Sequence, residues 1–109
     1  MTEQALFILA SLARGELHGY GIARDVEELS DGRVKLTAGT LYGALNRLTD
    51  DGLIAQTREV EVAGRRRRYY RLTSLGETAL ADEAARLRST AAALSARAAI
   101  SADPSPRPA

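Results

Sequence analysis

Apolar positions along the chain repeat with helical spacing in four stretches and with alternating spacing in two. The clearest helix is centred on Leu41, Leu45 and Leu48, at i, i+4 and i+7, which gathers the three side chains on one inward face. Thr37 is placed to cap its start with a hydroxyl acceptor, and Gly52 to end it in the left-handed conformation that glycine adopts cheaply. The outer face carries Thr40, Gly43 and Arg47, with Tyr42 and Asn46 alongside and Gly39 in the first turn. Small, polar and singly basic, that face suits contact with phosphates and base edges, or simply with water.

Upstream, Ala5 to Ala13 is apolar almost all round, which predicts a helix covered on more than one side. A chain this short has one core, so the second cover is expected to be another subunit, placing Leu6 and Leu9 at a subunit contact. Arg14 to Leu17 reads as a turn, and His18-Gly19-Tyr20-Gly21 opens a second helix with Ile22, Val26 and Leu29 in phase and Asp31-Gly32 at its close. His18 is the only histidine and is expected to cap or pack. Tyr20 can either meet a phosphate or cover the helix junction. Arg33 to Leu36 alternates enough for one bridging strand.

Downstream the period changes. Leu53 to Val62 is extended in character, with Ile54, Val60 and Val62 in phase; Ala63-Gly64-Arg65-Arg66 interrupts it and Arg68 to Leu72 resumes it. This predicts a hairpin with a basic tip and a positive φ at Gly64, with Tyr70 and Leu72 facing inward and Tyr69 and Arg71 outward. Ser74 and Glu77 form a capping-box pattern before a final helix to about Ala99. In it Leu80, Ala84, Leu87, Ala91, Leu94 and Ala98 follow a 4-3-4-3-4 seam. From Leu75 to Ala99 that helix would span roughly 37 Å, more than the chain's own core needs, so the seam is expected to pair with a second copy. Three parts follow: a DNA-binding unit over residues 1–73, a dimerisation helix over 74–99, and a disordered tail over 100–109 containing Pro104, Pro106 and Pro108.

Composition sharpens this picture. The net charge of +1 is uninformative, but its distribution is not: residues 1–32 hold six acids against Arg14 and Arg24, whereas residues 58–71 hold six arginines against Glu59 and Glu61. A local basic patch is what steers a polyanion. Four successive arginines repel one another, so phosphate contact accounts for them better than stability does. With no Cys and one His, no glycine-rich phosphate loop and no paired carboxylates among apolar residues, neither an enzyme, a metal site nor a cofactor is expected. No apolar run reaches the roughly 20 residues of a membrane span, and the start lacks a secretory signal, so a cytoplasmic protein is expected.

Helices, a small polar face, a basic hairpin and a last helix, in that order, describe a mainly α winged helix-turn-helix with a C-terminal dimerisation helix. The joint spacing of His18-Gly19-Tyr20, Gly39-Thr40-Leu41-Tyr42, Gly52-Leu53-Ile54, Arg65 to Arg68, Tyr69 to Thr73 and Leu75-Gly76 resembles the PadR family of bacterial transcriptional regulators. The resemblance implies a homodimer that binds double-stranded operator DNA, usually as a repressor. The third helix would lie in the major groove and the wing on flanking backbone or minor groove. It assigns Tyr20, Thr37, Gly39, Thr40, Tyr42, Asn46 and Arg47 to the helix-turn-helix contact, Arg65, Arg66 and Arg67 to the wing, and the last helix to dimerisation. Gly43 stands where many members have proline, and the single C-terminal helix matches the short members. A small-molecule effector is the further partner implied, although with Phe7 the only Phe and no Trp the chain offers little for stacking a flat aromatic molecule. The competing reading is a winged-helix module that binds protein, which would call for an apolar outer face on the third helix; only Tyr42 is available there.

Overall fold

The structure, a computed structural model, describes residues 1–102. Its elements run α1 (Glu3–Ser11), a short 3-10 turn (Leu12–Arg14), β1 (Leu17–His18), α2 (Gly19–Leu29), α3 (Ala38–Asp50), β2 (Ile54–Val62), β3 (Arg65–Leu72) and α4 (Ser74–Ala102). The fold is a winged helix in which α1, α2 and α3 enclose one core and an antiparallel sheet of order β1-β3-β2 closes its side. Ile8, Leu9, Ile22, Val26, Leu45 and Ile54 form the centre of that core, with Leu41, Leu48 and Tyr70 around them.

Local chemistry sets the element ends. The Thr37 hydroxyl accepts from the Thr40 amide at 3.4 Å to start α3. At the other end Gly52, at φ +76°, lets its own N–H reach the Thr49 carbonyl and the Leu53 N–H reach the Leu48 carbonyl. That pair of bonds satisfies the last turn's orphan acceptors. Helix α2 is capped by His18, whose Nδ1 accepts from the Gly21 amide at 3.2 Å. Its inward face uses Ile22 and Val26 but not Leu29, which is exposed; Ser30 takes the buried position instead, its hydroxyl bridging the Glu27 carbonyl and the Val34 amide.

Several expectations are corrected. Residues 33–36 form no strand, because the Val34 amide is drawn to Ser30. The third strand is β1, read from sequence as turn and helix start, and it pairs Leu17 with Tyr70 and His18 with Tyr69. The hairpin turn is only Ala63-Gly64, both at positive φ, so the arginines lie along β3 rather than at its tip. A β-bulge between Gln56 and Arg58 shifts the register, which puts Val60 and Val62 on the opposite sheet face from Ile54.

Helix α4 is capped one residue earlier than Ser74. The Thr73 hydroxyl accepts from the Gly76 amide at 3.1 Å and donates to the Gly52 carbonyl at 2.6 Å, tying the helix start to the α3–β2 turn. The helix runs past Ala99 to Ala102, so residues 100–102 are helical and not tail; the rest of the expected tail lies outside the described residues. The first turns of α4 pack against α1 and β3, so α4 supplies within the chain the second cover expected of another subunit. Leu9 is fully buried in its own core and is removed from the subunit contact, while Leu6 is half-buried. Leu80 also packs on the core, whereas Ala84, Leu87, Ala91 and Leu94 are exposed. Among the described residues no helix is long and apolar enough to cross a membrane.

Candidate nucleic-acid interface

The exposed face of α3 follows from its buried one. With Leu41, Ala44, Leu45 and Leu48 inward, Gly39, Thr40, Tyr42, Asn46 and Arg47 are left at the surface. The Thr37 hydroxyl, besides accepting from the Thr40 amide, donates to the Thr40 Oγ1 at 3.1 Å, so the cap also fixes the Thr40 rotamer and leaves its hydroxyl hydrogen free. A Cβ placed on Gly39 would meet nothing within 4 Å, and its φ is not positive, so nothing inside the chain requires glycine there. Gly19 is different: its Cβ would lie 3.0 Å from the Tyr42 hydroxyl, because the start of α2 is pressed against α3.

The wing is the basic half of the surface. Alternation along β3 divides its arginines between two faces. Arg66 and Arg68 share a face with buried Tyr70 and with Glu59, whose carboxylate is 3.1 Å from Arg68 and 3.7 Å from Arg66. Acid does therefore stand beside the run, across the strand pair rather than along the sequence. The hydrogen bond to Glu59 raises the Arg68 pKa further, and burial raises that of Tyr70. Such exposed pairs hold weakly and can be exchanged for phosphate.

Arg65 and Arg67 lie on the other face and have no acidic partner among the described residues. Arg58, nearer the base of the wing, is committed to structure: it bonds Glu16 at 2.8 Å and lies 4.1 Å above the Tyr69 ring. Hydrogen bonds from Thr57 and Arg58 hold the Glu16 carboxyl below its ordinary pKa.

These elements meet in a cleft lined by His18, Gly19, Tyr20, Tyr42 and Arg65 to Arg68. Of the residues singled out from sequence, the structure brings together Tyr20, Tyr42, Arg65, Arg66 and Arg67. Tyr20 is 66% exposed and covers no helix junction; the Arg24 guanidinium stands 5.8 Å over its ring. Thr37, Gly39 and Thr40 are exposed at the start of α3. Arg47 lies apart from the wing, in a groove that includes Thr2, Asp51 and Glu83. Three residues lining the cleft, His18, Gly19 and Arg68, were left out of the residue-by-residue assignment, although Arg68 belongs to the arginine run read as phosphate-contacting. Arg68 could have been found from its strand phase with Tyr70; His18 could not, because its place depends on a two-residue strand that leaves no periodic trace.

The family model described as "Transcriptional regulator PadR-like family" matches residues 8–82. Transcriptional regulator Rv3488 of Mycobacterium tuberculosis is 41% identical over 78 residues, 72% of this chain and 69% of that protein. A PadR family transcription regulator from Clostridium difficile has the same fold, with a TM-score of 0.73 and 26% identity over 86% of this chain and 96% of the other. Bacillus subtilis PadR, solved in complex with operator DNA, gives a TM-score of 0.63 and 30% identity over 72% of this chain and 44% of the larger protein. The chain belongs to the PadR-like family, a family of transcriptional regulators and not of enzymes.

Proposed function

We propose that this regulator is a dimeric repressor that binds a (pseudo)palindromic operator through the exposed face of α3 and the arginines of β3. The observation that carries the reading is the shared cleft: Tyr42 of the third helix, Tyr20 of the second and the wing arginines open to one side of the molecule. Helix α3 enters the major groove with Thr40, Tyr42 and Asn46 toward base edges, while Thr37, Tyr20, Arg65, Arg66 and Arg67 hold phosphates. The complex of Bacillus subtilis PadR with operator DNA supports the assignment of duplex DNA as partner. Pairing of α4 between two copies would set the half-site spacing, at about one helical turn or a multiple. A small molecule that alters the packing of α4 against the winged helix would change that spacing and so release the operator.

Selection of bound fragments from random duplex DNA, followed by anisotropy titration, tests the reading. With about eight phosphate contacts per dimer, log K should fall against log salt with a slope near −7. The triple variant R65A/R66A/R67A should bind every duplex more weakly and with a shallower slope. Unchanged affinity in that variant would remove the wing from the interface. Transcript levels from the selected operator should rise when the gene is deleted; a fall would make the protein an activator.

A further inference from the structure

The most specific geometry in the cleft is around His18. Its Nδ1 accepts the Gly21 N–H that starts α2, at 3.2 Å. A neutral imidazole with Nδ1 accepting carries its proton on Nε2, so Nε2 is a donor. Nη1 of Arg67 stands 3.4 Å from it. A guanidinium has no acceptor, so the contact cannot be a hydrogen bond between the two. Two donors thus converge with no acceptor between them among the described residues.

Capping α2 does not require this arrangement, since asparagine or serine would serve. The ring is nevertheless held firmly. Tyr69 meets it edge-on with centroids 5.4 Å apart, and Tyr20 lies parallel to it at 6.3 Å. Burial first, and the Arg67 charge second, keep His18 below its ordinary pKa, in the neutral form the cap needs. Glu16, the acid on the same side of the sheet, is already taken by Thr57 and Arg58.

We infer that His18 and Arg67 form a notch for one backbone phosphodiester of the bound duplex, the imidazole donating Nε2–H as a neutral group and the guanidinium supplying the charge. This rests on the DNA-binding reading above and adds to it a residue that reads neither as basic nor as part of the third helix. A phosphate oxygen between the two nitrogens would accept from both, and the stacked Tyr20 would close the exposed side. The division of roles has a consequence. A neutral donor contributes affinity without releasing a counterion, whereas an arginine does both.

His18→Asn separates the cap from the donor, because the Asn side chain accepts the Gly21 amide but is too short to reach the phosphate. In the full-length protein, H18N should bind the selected duplex about tenfold more weakly per half-site, the usual worth of a hydrogen bond to a charged group, with an unchanged salt slope. R67A should lose affinity and about one unit of slope per protomer. Their double variant should lose less than the product of the two, since both hold the same phosphate.

A readout on the unmodified protein is available because His18 is the only histidine. Its imidazole nitrogen-15 signals should show the Nε2–H tautomer in the free protein and a shift at Nε2 on adding duplex, but not on adding inorganic phosphate at equal phosphate concentration. Equal shifts with inorganic phosphate would make the notch a general anion site and overturn the phosphodiester assignment. Undiminished duplex affinity in H18N, with R65A/R66A/R67A weakened, would overturn the notch and leave the wing in place; both undiminished would overturn DNA binding by this cleft altogether.

Discussion

Gly39 and Gly76 show how differently one residue type can be used. At Gly76 a Cβ would stand 2.0 Å from the Leu53 carbonyl oxygen and 2.8 Å from a Leu72 methyl, in the place where the start of α4 is tied to the α3–β2 turn. Gly76→Ala should therefore destabilise the fold by about 3 kcal/mol, the upper end of ordinary overpacking, as read by denaturant titration. Gly39→Ala, at the second position of α3, should do the opposite, stabilising by at most about 0.5 kcal/mol through helix propensity while weakening operator binding by filling the open space above it. A Gly39→Ala variant that bound the operator normally would move the duplex away from the start of α3. His18 adds a pH dependence. Its folded pKa lies below the ordinary value of 6.5, so near and below that pH the unfolded chain binds more protons than the folded one. The stabilisation is complete above about pH 6.5 and is lost as pH falls through the folded pKa; a melting curve series should show the decline, and H18N should lack that component. At this scale sequence reasoning expected His18 to cap or pack, and it caps, and it read Gly64 and Gly52 as left-handed turns, since those depend on neighbours a few residues away. The need for glycine at 76 arises from Leu53, and no local pattern records such a contact.

Elements were legible in proportion to their periodicity. Helix α3 was readable down to its cap and its stop, because three leucines and two terminal residues specify it without help from the rest of the fold. Strand β1 was not: Leu17 and His18 become a strand only because β3 offers them an edge. The wing was read as a hairpin, but its bulge at Thr57 and its two-residue turn were hidden, and with them the face on which each arginine lies. That matters for the interface, because Glu59 neutralises part of one face and leaves Arg65 and Arg67 on the other without an acidic partner among the described residues. Glu59→Gln should release Arg66 and Arg68 to phosphate and raise affinity for all duplexes severalfold at low salt, the gain shrinking as salt rises. Titrations at two salt concentrations would check this; an affinity that fell instead would mean that Glu59 holds the arginines in their binding rotamers.

The whole molecule is elongated, at 71 × 26 × 21 Å, and its radius of gyration of 18.4 Å exceeds the ~13 Å of a compact chain of this length. The excess is α4, whose residues 84–101 lie exposed. Helical stability in proteins comes mostly from packing of an apolar face, yet Leu87 and Leu94 of this helix stand 42% and 65% exposed one heptad apart. Their repeat, with Ala84 and Ala91 each three residues before a leucine, is what a second copy of the same helix would cover, the small alanines allowing close approach. Neither leucine touches the core, so Leu87→Glu with Leu94→Glu should leave the winged helix folded while abolishing association. Sedimentation at about 10 μM should show a dimer for the parent and a monomer for the variant, with helical circular dichroism reduced as α4 frays. Affinity for an isolated half-site should be preserved, but affinity for the full operator should fall by roughly a hundredfold, because the second half-site is then no longer bound intramolecularly. A variant that stayed dimeric would assign the subunit contact to another surface, with half-buried Leu6 on α1 the first to examine, and the spacing of the operator would then follow from that surface and not from α4.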